Sequence, residues 1–589
     1  PYLRDLRALL TKYGYQCALY GQCGQGCIHT RINFEFKTVE GVAIYRRFMY
    51  EAADLVLSYG GSLSGEHGDG QSRAELLPRM YGNELVQAFR EFKAIWDPDG
   101  MMNPGKVSDP YPLDTNLRMA PPYAQREVQT HFHFAGAGFG DAAELCFGVG
   151  ACRSQEGVMC PSYQVTYEEE HSTRGRARML FELMRGELPG GWRNEEVKEA
   201  LDLCLACKGC LHECPVRVDM ATYKAEFLSH YYERRLRPLR QYLLALIPWE
   251  ARLASHAPQL ANALTRGPLA RVGKRLVGIA PDRDAPAFAE QSFKDWFRAR
   301  GGTRNPNGKP VLLWPDTFNN YFHPEVAIAA TEALEAAGRQ VKVPEQWLCC
   351  GRPLYDYGML DLAERQLRRV LDALRDDIRA GVPLVSVEPS CGAVFRNELI
   401  NLLPDDVDAK RLAAQTQTVG EFFATHEEDT ELPKLSRKAL VHFHCHQRAT
   451  SDVDCDKSVL DRLGLDYEAL DDGCCGLAGS FGYEAGEPYD VSVAVGEQEL
   501  LPAVRRAGAD TLVITDGFSC RSQIEHGADQ RRSLHIAEVI ALAYREQGQT
   551  AGEHTADTGS QRGVRGAGFA AVAVTVVAGA AALLRRRRR

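Results

Sequence analysis

A chain of 589 residues, 45% hydrophobic and 25% charged, is long enough for several globular domains and shows no fibrous or low-complexity bias. Its net charge of −9 is spread along the sequence, which argues against a nucleic-acid partner. Eighteen cysteines, many in C-x-x-C and Cys-Cys clusters, argue for metal ligation in a reducing, cytoplasmic compartment and against a disulfide framework.

The text opens at Pro1 in a helical run, Leu3-Arg-Asp-Leu-Arg-Ala-Leu-Leu10, and reads as the continuation of a longer protein. Residues 1–125 mix a strand-like stretch, Cys27–Phe36, with helical ones, Ala43–Ser58 and Asn83–Trp96. Two Gly-rich turns stand out, Tyr20-Gly-Gln-Cys-Gly-Gln-Gly-Cys-Ile-His29 and Gly60-Gly-Ser-Leu-Ser-Gly-Glu-His-Gly68. Glycine lets a backbone approach a ligand closely, and His29, Glu66 and His67 are suited to metal binding or proton transfer.

Together with Trp96-Asp-Pro-Asp-Gly-Met-Met-Asn-Pro-Gly-Lys106, these turns resemble the C-terminal half of FAD-linked oxidases acting on D-2-hydroxy acids. D-lactate, glycolate and D-2-hydroxyglutarate dehydrogenases belong to that group. The resemblance implies that Glu66 and His29 hold a divalent metal and that His67 is the base taking the substrate hydroxyl proton. It also implies that Asn103, Gly105 and Lys106 return to an FAD carried mainly by a preceding domain. One position departs from the pattern: Gln22 stands where the family has a histidine, and an amide oxygen is a poorer ligand for a borderline metal. Cys17, Cys23 and Cys27 read as small apolar packing residues.

Residues 126–235 carry Cys204-Leu-Ala-Cys207-Lys-Gly-Cys210-Leu-His-Glu-Cys214-Pro215, the bacterial iron–sulfur spacing. A tight loop wraps three thiolates around one cube and sends the fourth to a second cluster. An upstream counterpart exists: Cys146, Cys152 and Cys160, with Val149 at the second position. By the exchange rule of two-cluster ferredoxins, Cys160 joins Cys204, Cys207 and Cys210 on a 4Fe–4S cube. Cys214 joins Cys146 and Cys152 on the other, which is 3Fe–4S or 4Fe–4S with a non-cysteine ligand. The missing thiolate resembles the succinate dehydrogenase iron–sulfur subunit, where an aliphatic residue also replaces that cysteine. Arginines of the helix after Glu168 would sit near the clusters or on a solvated face.

Residues 236–305 are Arg- and Ala-rich, punctuated by prolines at 238, 248, 258 and 268, and read as a helical connector without chemistry. Within 306–545 an internal repeat appears. Val311–Asp316 matches Leu440–Cys445, Cys349-Cys350-Gly351 matches Cys474-Cys475-Gly476, and Pro383–Cys391 matches Thr511–Cys520, at offsets of 129, 125 and 129 residues. Each half alternates strands with long helices such as Leu362–Arg379, the pattern of a parallel α/β unit. The cysteines resemble the CCG domain of heterodisulfide reductases and of glycolate or glycerol-3-phosphate dehydrogenase electron-transfer subunits. Both halves lack the family's terminal C-x-x-C partner, having Val394 and Gln523 there. The second half, with Cys445, Cys474, Cys475 and Cys520, is the one expected to hold an iron–sulfur cluster; the first has Asp316 in place of Cys445.

A polar linker, 546–565, precedes a tail, 566–589, whose 19-residue uncharged run ends in five arginines. It reads as a short membrane span or as a segment lying on the cytoplasmic face of anionic lipid. The whole is a multidomain α+β and α/β chain: the C-terminal half of a flavin oxidase cap, a helical two-cluster ferredoxin-like module and a duplicated α/β CCG module. The expected function is oxidation of a 2-hydroxy acid to the 2-oxo acid, with electrons passing through the clusters to a quinone, cytochrome or protein acceptor. The competing reading is an electron-transfer or heterodisulfide-reductase-like module without dehydrogenase activity of its own.

Overall fold

The computed structural model describes residues 1–121, 128–134, 138–426 and 430–548. At the N-terminal end, strands β1 (Cys17–Gln22) and β2 (Cys27–Ile32) form an antiparallel hairpin beside helices Tyr2–Lys12, Val39–Ser58 and Leu77–Trp96. Thr38 starts the second of these helices by accepting the Gly41 N–H at its hydroxyl. Leu6, Leu10 and Phe48 make the buried seam between hairpin and helices, wedged by the edge-on rings of Tyr13, Tyr15 and Phe34. Lys37 reaches Asp141 (3.0 Å) and Glu144 (2.9 Å), tying this unit to the next.

The ferredoxin-like unit is helical as expected, with short turns holding the cysteines and helices Thr173–Arg185, Glu195–Asp202, Gly209–Glu213 and Met220–Tyr231 around them. The connector is helical as far as Val277. Its prolines mark helix starts: Pro238 is an N-cap, and Pro248 and Pro258 lie in first turns, where the missing N–H costs nothing. Between the helix ending at Val277 and a further one, Phe293–Ala299, Arg283 is buried in the second repeat and bonds Gln523 Oε1 (2.6 Å) and Ser492 Oγ (3.1 Å). The segment is therefore also a clamp.

The repeat is plain in the sheets. Strands β3 (Lys309–Trp314), β4 (Arg339–Lys342), β5 (Leu384–Ser386) and β6 (Thr416–Thr418) are all parallel in the order β4-β3-β5-β6. Strands β7 (Lys438–Val441), β8 (Asp466–Ala469) and β9 (Leu512–Ile514) are parallel in the order β8-β7-β9, the same three-strand core. The sheets share one apolar core, in which Val311, Leu313 and Val385 of the first meet Ala439, Val441 and Ile514 of the second, with Ala330, Val539 and Ile540 from covering helices. Among the described residues no helix is long and apolar enough to cross a membrane. Residues 549–565 of the linker and the whole apolar tail lie outside the described residues, as does any attachment to a membrane through them.

Candidate functional site

The first site is built by the β1–β2 hairpin and the loop after helix Val39–Ser58. Tyr20 and His29 are cross-strand partners, and their rings stack at 4.9 Å. The Gly-rich loop brings Glu66 over them. Glu66 Oε1 lies 2.5 Å from His29 Nε2 and 3.3 Å from His67 Nε2, and the two imidazoles meet edge-on at 5.1 Å. The sequence reading divided these residues into two ligands and a base, whereas the structure gathers both histidines on the one Glu66 carboxylate. Their ligand atoms lie within 4.8 Å of one another. Two imidazoles and a carboxylate are a donor set that catalytic divalent-metal sites use, so the residues present fit such an ion.

Cys27 packs under the loop, its thiol donating to the Gly65 carbonyl at 3.6 Å. Gly21 is obligatory where Gln22 begins the turn: a Cβ there would fall 2.2 Å from the Cys27 carbonyl oxygen. Of Asn103, Gly105 and Lys106, the structure brings Lys106 to the same loop, while Gly105 accepts the Tyr111 N–H. Lys106 Nζ donates to Gln71 Oε1 at 2.9 Å, and the Val107 N–H bonds the Gly70 carbonyl at 3.4 Å. Sequence reasoning missed Asp69, next to Gly68 and Gly70, whose Oδ1 is buried without a hydrogen-bond partner and whose pKa burial raises. Its place between two loop glycines is the signal that could have found it.

The second site holds the two cysteine runs. Cys160, Cys204, Cys207 and Cys210 line one cavity of about 20 Å³, the four thiols that the exchange rule groups together. Burial first, then neighbouring groups, pushes the Cys210 thiol up to about 12. The N-terminus of helix Thr173–Arg185 aims its amides at sulfur: Thr173 N–H at Cys160 Sγ (2.9 Å) and Arg174 N–H at Cys152 Sγ (3.3 Å). Met220 N–H does the same for Cys210 Sγ at 3.4 Å. Buried sulfurs with amide donors aimed at them are what an iron–sulfur centre asks of its protein, so this set fits one. Arg176 is buried, bonded to the Ala200 carbonyl and Ser162; Arg174 spans to Glu169 at 2.7 Å. The helix thus presents both the interior and the solvated arginines that the sequence left open.

Around the other set, burial raises the Cys146 thiol, and Cys152 and Cys214 reinforce the shift as its electrostatic neighbours. Val149 is 59% exposed, so the corner without a cysteine faces outward.

The third site is in the second repeat. Cys445, Cys474, Cys475 and Cys520 are buried and contiguous: Cys474 is raised first by Cys445, while Cys474 and Cys520 pull Cys475 well below the usual thiol range. Gly476 N–H points at Cys474 Sγ at 3.4 Å. Three histidines escaped the sequence reading. His442 Nδ1 lies 2.5 Å from Asp472. Burial opposes its protonation, yet Asp472 and Cys475 outweigh it and push the group up to about 10. His444 and His446 stack at 5.2 Å, and neither ring nitrogen of the buried His446 has a hydrogen-bond partner. The alternation His442-Phe-His444-Cys-His446 was the available signal. Cys207, Cys445 and Cys474 belong to one buried cluster with Val158, Leu203 and Phe481, so the second and third sites adjoin.

In the first repeat Cys350 and Cys391 have their sulfurs 2.9 Å apart, with Cys349 beside them. Asp316 caps a helix, accepting from Phe318 N–H, Asn319 N–H and Asn319 Nδ2 at 2.8–3.0 Å. Its carboxylate is occupied there.

Residues 1–107 match the C-terminal domain of FAD linked oxidases, 142–218 the 4Fe-4S dicluster domain and 316–396, within the first repeat, the cysteine-rich CCG domain. The chain is 27% identical over 580 residues to a D-2-hydroxyglutarate dehydrogenase of Escherichia coli (strain K12), covering 89% of this chain and 56% of that protein. It is 28% identical over 588 residues to one from Pseudomonas putida, covering 92% and 57%. It is also 30% identical over 244 residues to lactate utilization protein A of Bacillus velezensis, covering 39% of this chain and 98% of that protein. The chain thus spans somewhat over half the length of the D-2-hydroxyglutarate dehydrogenases it matches. Along the one polypeptide it carries matches to the C-terminal domain of FAD linked oxidases, to the 4Fe-4S dicluster domain and to the cysteine-rich CCG domain, in that order.

Proposed function

We propose that the chain serves a dehydrogenase that oxidises a D-2-hydroxy acid to the 2-oxo acid and exports the electrons one at a time. The observation that carries the reading is the order of sites. A metal-competent Glu66–His29–His67 group precedes two adjoining thiol sites in one polypeptide. The relatives named D-2-hydroxyglutarate dehydrogenase support D-2-hydroxyglutarate as the substrate, with D-lactate and glycolate as smaller members of the class.

His29 and Glu66 would hold a divalent cation that orients the hydroxy acid. His67 Nε2 takes the hydroxyl proton, and the Glu66 carboxylate, 3.3 Å from that nitrogen, stabilises the protonated form. Lys106 braces the loop through Gln71, and Asn103 and Gly105 beside it would face the flavin. When bound, FAD supplies the hydride acceptor and the iron–sulfur centres supply one-electron transfer. Cys160, Cys204, Cys207 and Cys210 would hold one 4Fe–4S centre; Cys146, Cys152 and Cys214 a three-thiolate centre; Cys445, Cys474, Cys475 and Cys520 a third. The terminal acceptor is a quinone, a cytochrome or a protein met at the cysteine-rich end.

Replacing His67 by Ala in the flavin-loaded protein is expected to slow substrate-dependent flavin bleaching by roughly 10²–10⁴-fold. Flavin reduction at the wild-type rate would sink the assignment.

A further inference from the structure

Lys208 stands between two cysteines in Cys207-Lys208-Gly209-Cys210, at a left-handed φ of 60°, with a wholly buried side chain. Its Nζ donates to Asp219 Oδ2 at 2.8 Å and to Asn397 Oδ1 at 2.8 Å, and lies 3.3 Å from Glu398 Oε1. That same Glu398 oxygen is 2.8 Å from Arg352 Nη2. Arg352 directly follows Cys349-Cys350-Gly351. Four buried charges therefore form a line from the cysteine run of the dicluster unit to the thiols of the first repeat. Asn397 and Glu398 are delivered by a π-helical turn, Val394–Glu398, a distortion that accumulates at functional sites.

Stability does not explain the arrangement. Each buried charge costs several kcal/mol of desolvation, and apolar residues of the same volume would hold the two units together as well. Nor does proton removal at His67 use it.

We infer that Lys208, Asp219, Arg352 and Glu398 act as positioning residues that set the reduction potential of the centre held by Cys160, Cys204, Cys207 and Cys210. The setting is completed only when the first repeat docks, since Arg352 and Glu398 come from that unit. This rests on the ligand assignment proposed above. The array is neutral, two cations against two carboxylates, in an interior where an unbalanced charge acts at range. Removing Lys208 leaves an excess negative charge beside the centre and disfavours its reduction. Removing the Glu398 charge leaves an excess positive one and favours it.

The test is an anaerobic redox titration of the cluster-loaded protein, read by electron paramagnetic resonance of the reduced centre, with no substrate present. At the wild-type midpoint, Lys208→Met is expected to raise the oxidised-to-reduced ratio tenfold or more. Glu398→Gln should lower it tenfold or more; each tenfold step is 59 mV for a one-electron couple. Lys208→Arg and the charge-neutral Asn397→Ala should stay within threefold of wild type. Misfolding cannot produce opposite shifts. Should Lys208→Met fail to load the centre, Glu398→Gln decides alone, because it leaves the cysteine run untouched. Unmoved or same-direction potentials in loaded variants overturn the array's role. Absence of any cluster signal in the wild type overturns the ligand assignment and the array with it.

Discussion

Glu66 is where the first site is decided, since its Oε1 reaches both His29 and His67. Glu66→Gln keeps the shape and removes the anion, so divalent-metal affinity measured by calorimetry should fall roughly 10–100-fold or more. At the dicluster site Thr173 offers a similarly clean probe. Thr173 holds both its hydroxyl and its N–H 2.9 Å from Cys160 Sγ. Thr173→Val removes the hydroxyl and keeps the N–H and the volume; the potential of that centre is expected to fall, and an unchanged redox titration would remove this hydroxyl from its control. Residues whose meaning lies in local spacing were legible from sequence, as the run from Cys204 to Cys214 shows. Lys208 was not, because its partners Asn397 and Glu398 lie nearly 190 positions away, and His442 was not, because Asp472 defines it from 30 positions away.

Elements were legible where their periodicity repeats. The strand-and-cysteine offsets foretold two equivalent parallel sheets, and β4-β3-β5 and β8-β7-β9 deliver them. The connector's prolines foretold breaks between short helices, and three of them sit at helix starts. The buried arm ending in Arg283 and the π-turn at Val394–Glu398 left no local trace, since both are imposed by tertiary contacts. Gly476 shows how strictly a cysteine turn constrains its own backbone. It adopts φ 89°, and a Cβ there would fall 2.2 Å from the Ser492 carbonyl oxygen. Gly476→Ala is expected to cost about 1–3 kcal/mol from backbone strain before the clash is counted. A thermal melt should show a lowered midpoint, while Gly486→Ala, with open space around its Cβ, tests the strain alone.

Across the whole molecule the units are joined by polar latches as well as apolar cores. His131 is one of them. Its Nδ1 lies 3.3 Å from Glu226, in the dicluster unit, and its Nε2 3.1 Å from Asp361, on the long helix Leu360–Arg379 of the first repeat. The hydrogen bond to Glu226 raises the imidazole to about 9, overcoming burial. A folded-state value above the unfolded value of about 6.5 means that the latch stabilises fully below pH 6.5 and is lost as pH rises through 9. His131→Gln should therefore destabilise the protein at pH 6 by about 1.5–3 kcal/mol and by much less at pH 10, as read from denaturant melts. An equal loss at both pH values would assign the residue a packing role only.

The shared core of the two repeats also has a consequence in time. Asp316 and Cys445 hold equivalent places 129 residues apart, and Val311 and Leu313 are buried against strands that follow them in the chain. On a ribosome adding about 5–20 residues per second, the first half waits roughly 6–26 s for its partner, with that apolar face uncovered. During this interval Cys349, Cys350 and Cys391 already exist while Cys445 to Cys520 do not. Nascent chains are thus expected to need shielding by a chaperone, and iron delivered before the second half is made would meet an incomplete set of thiols.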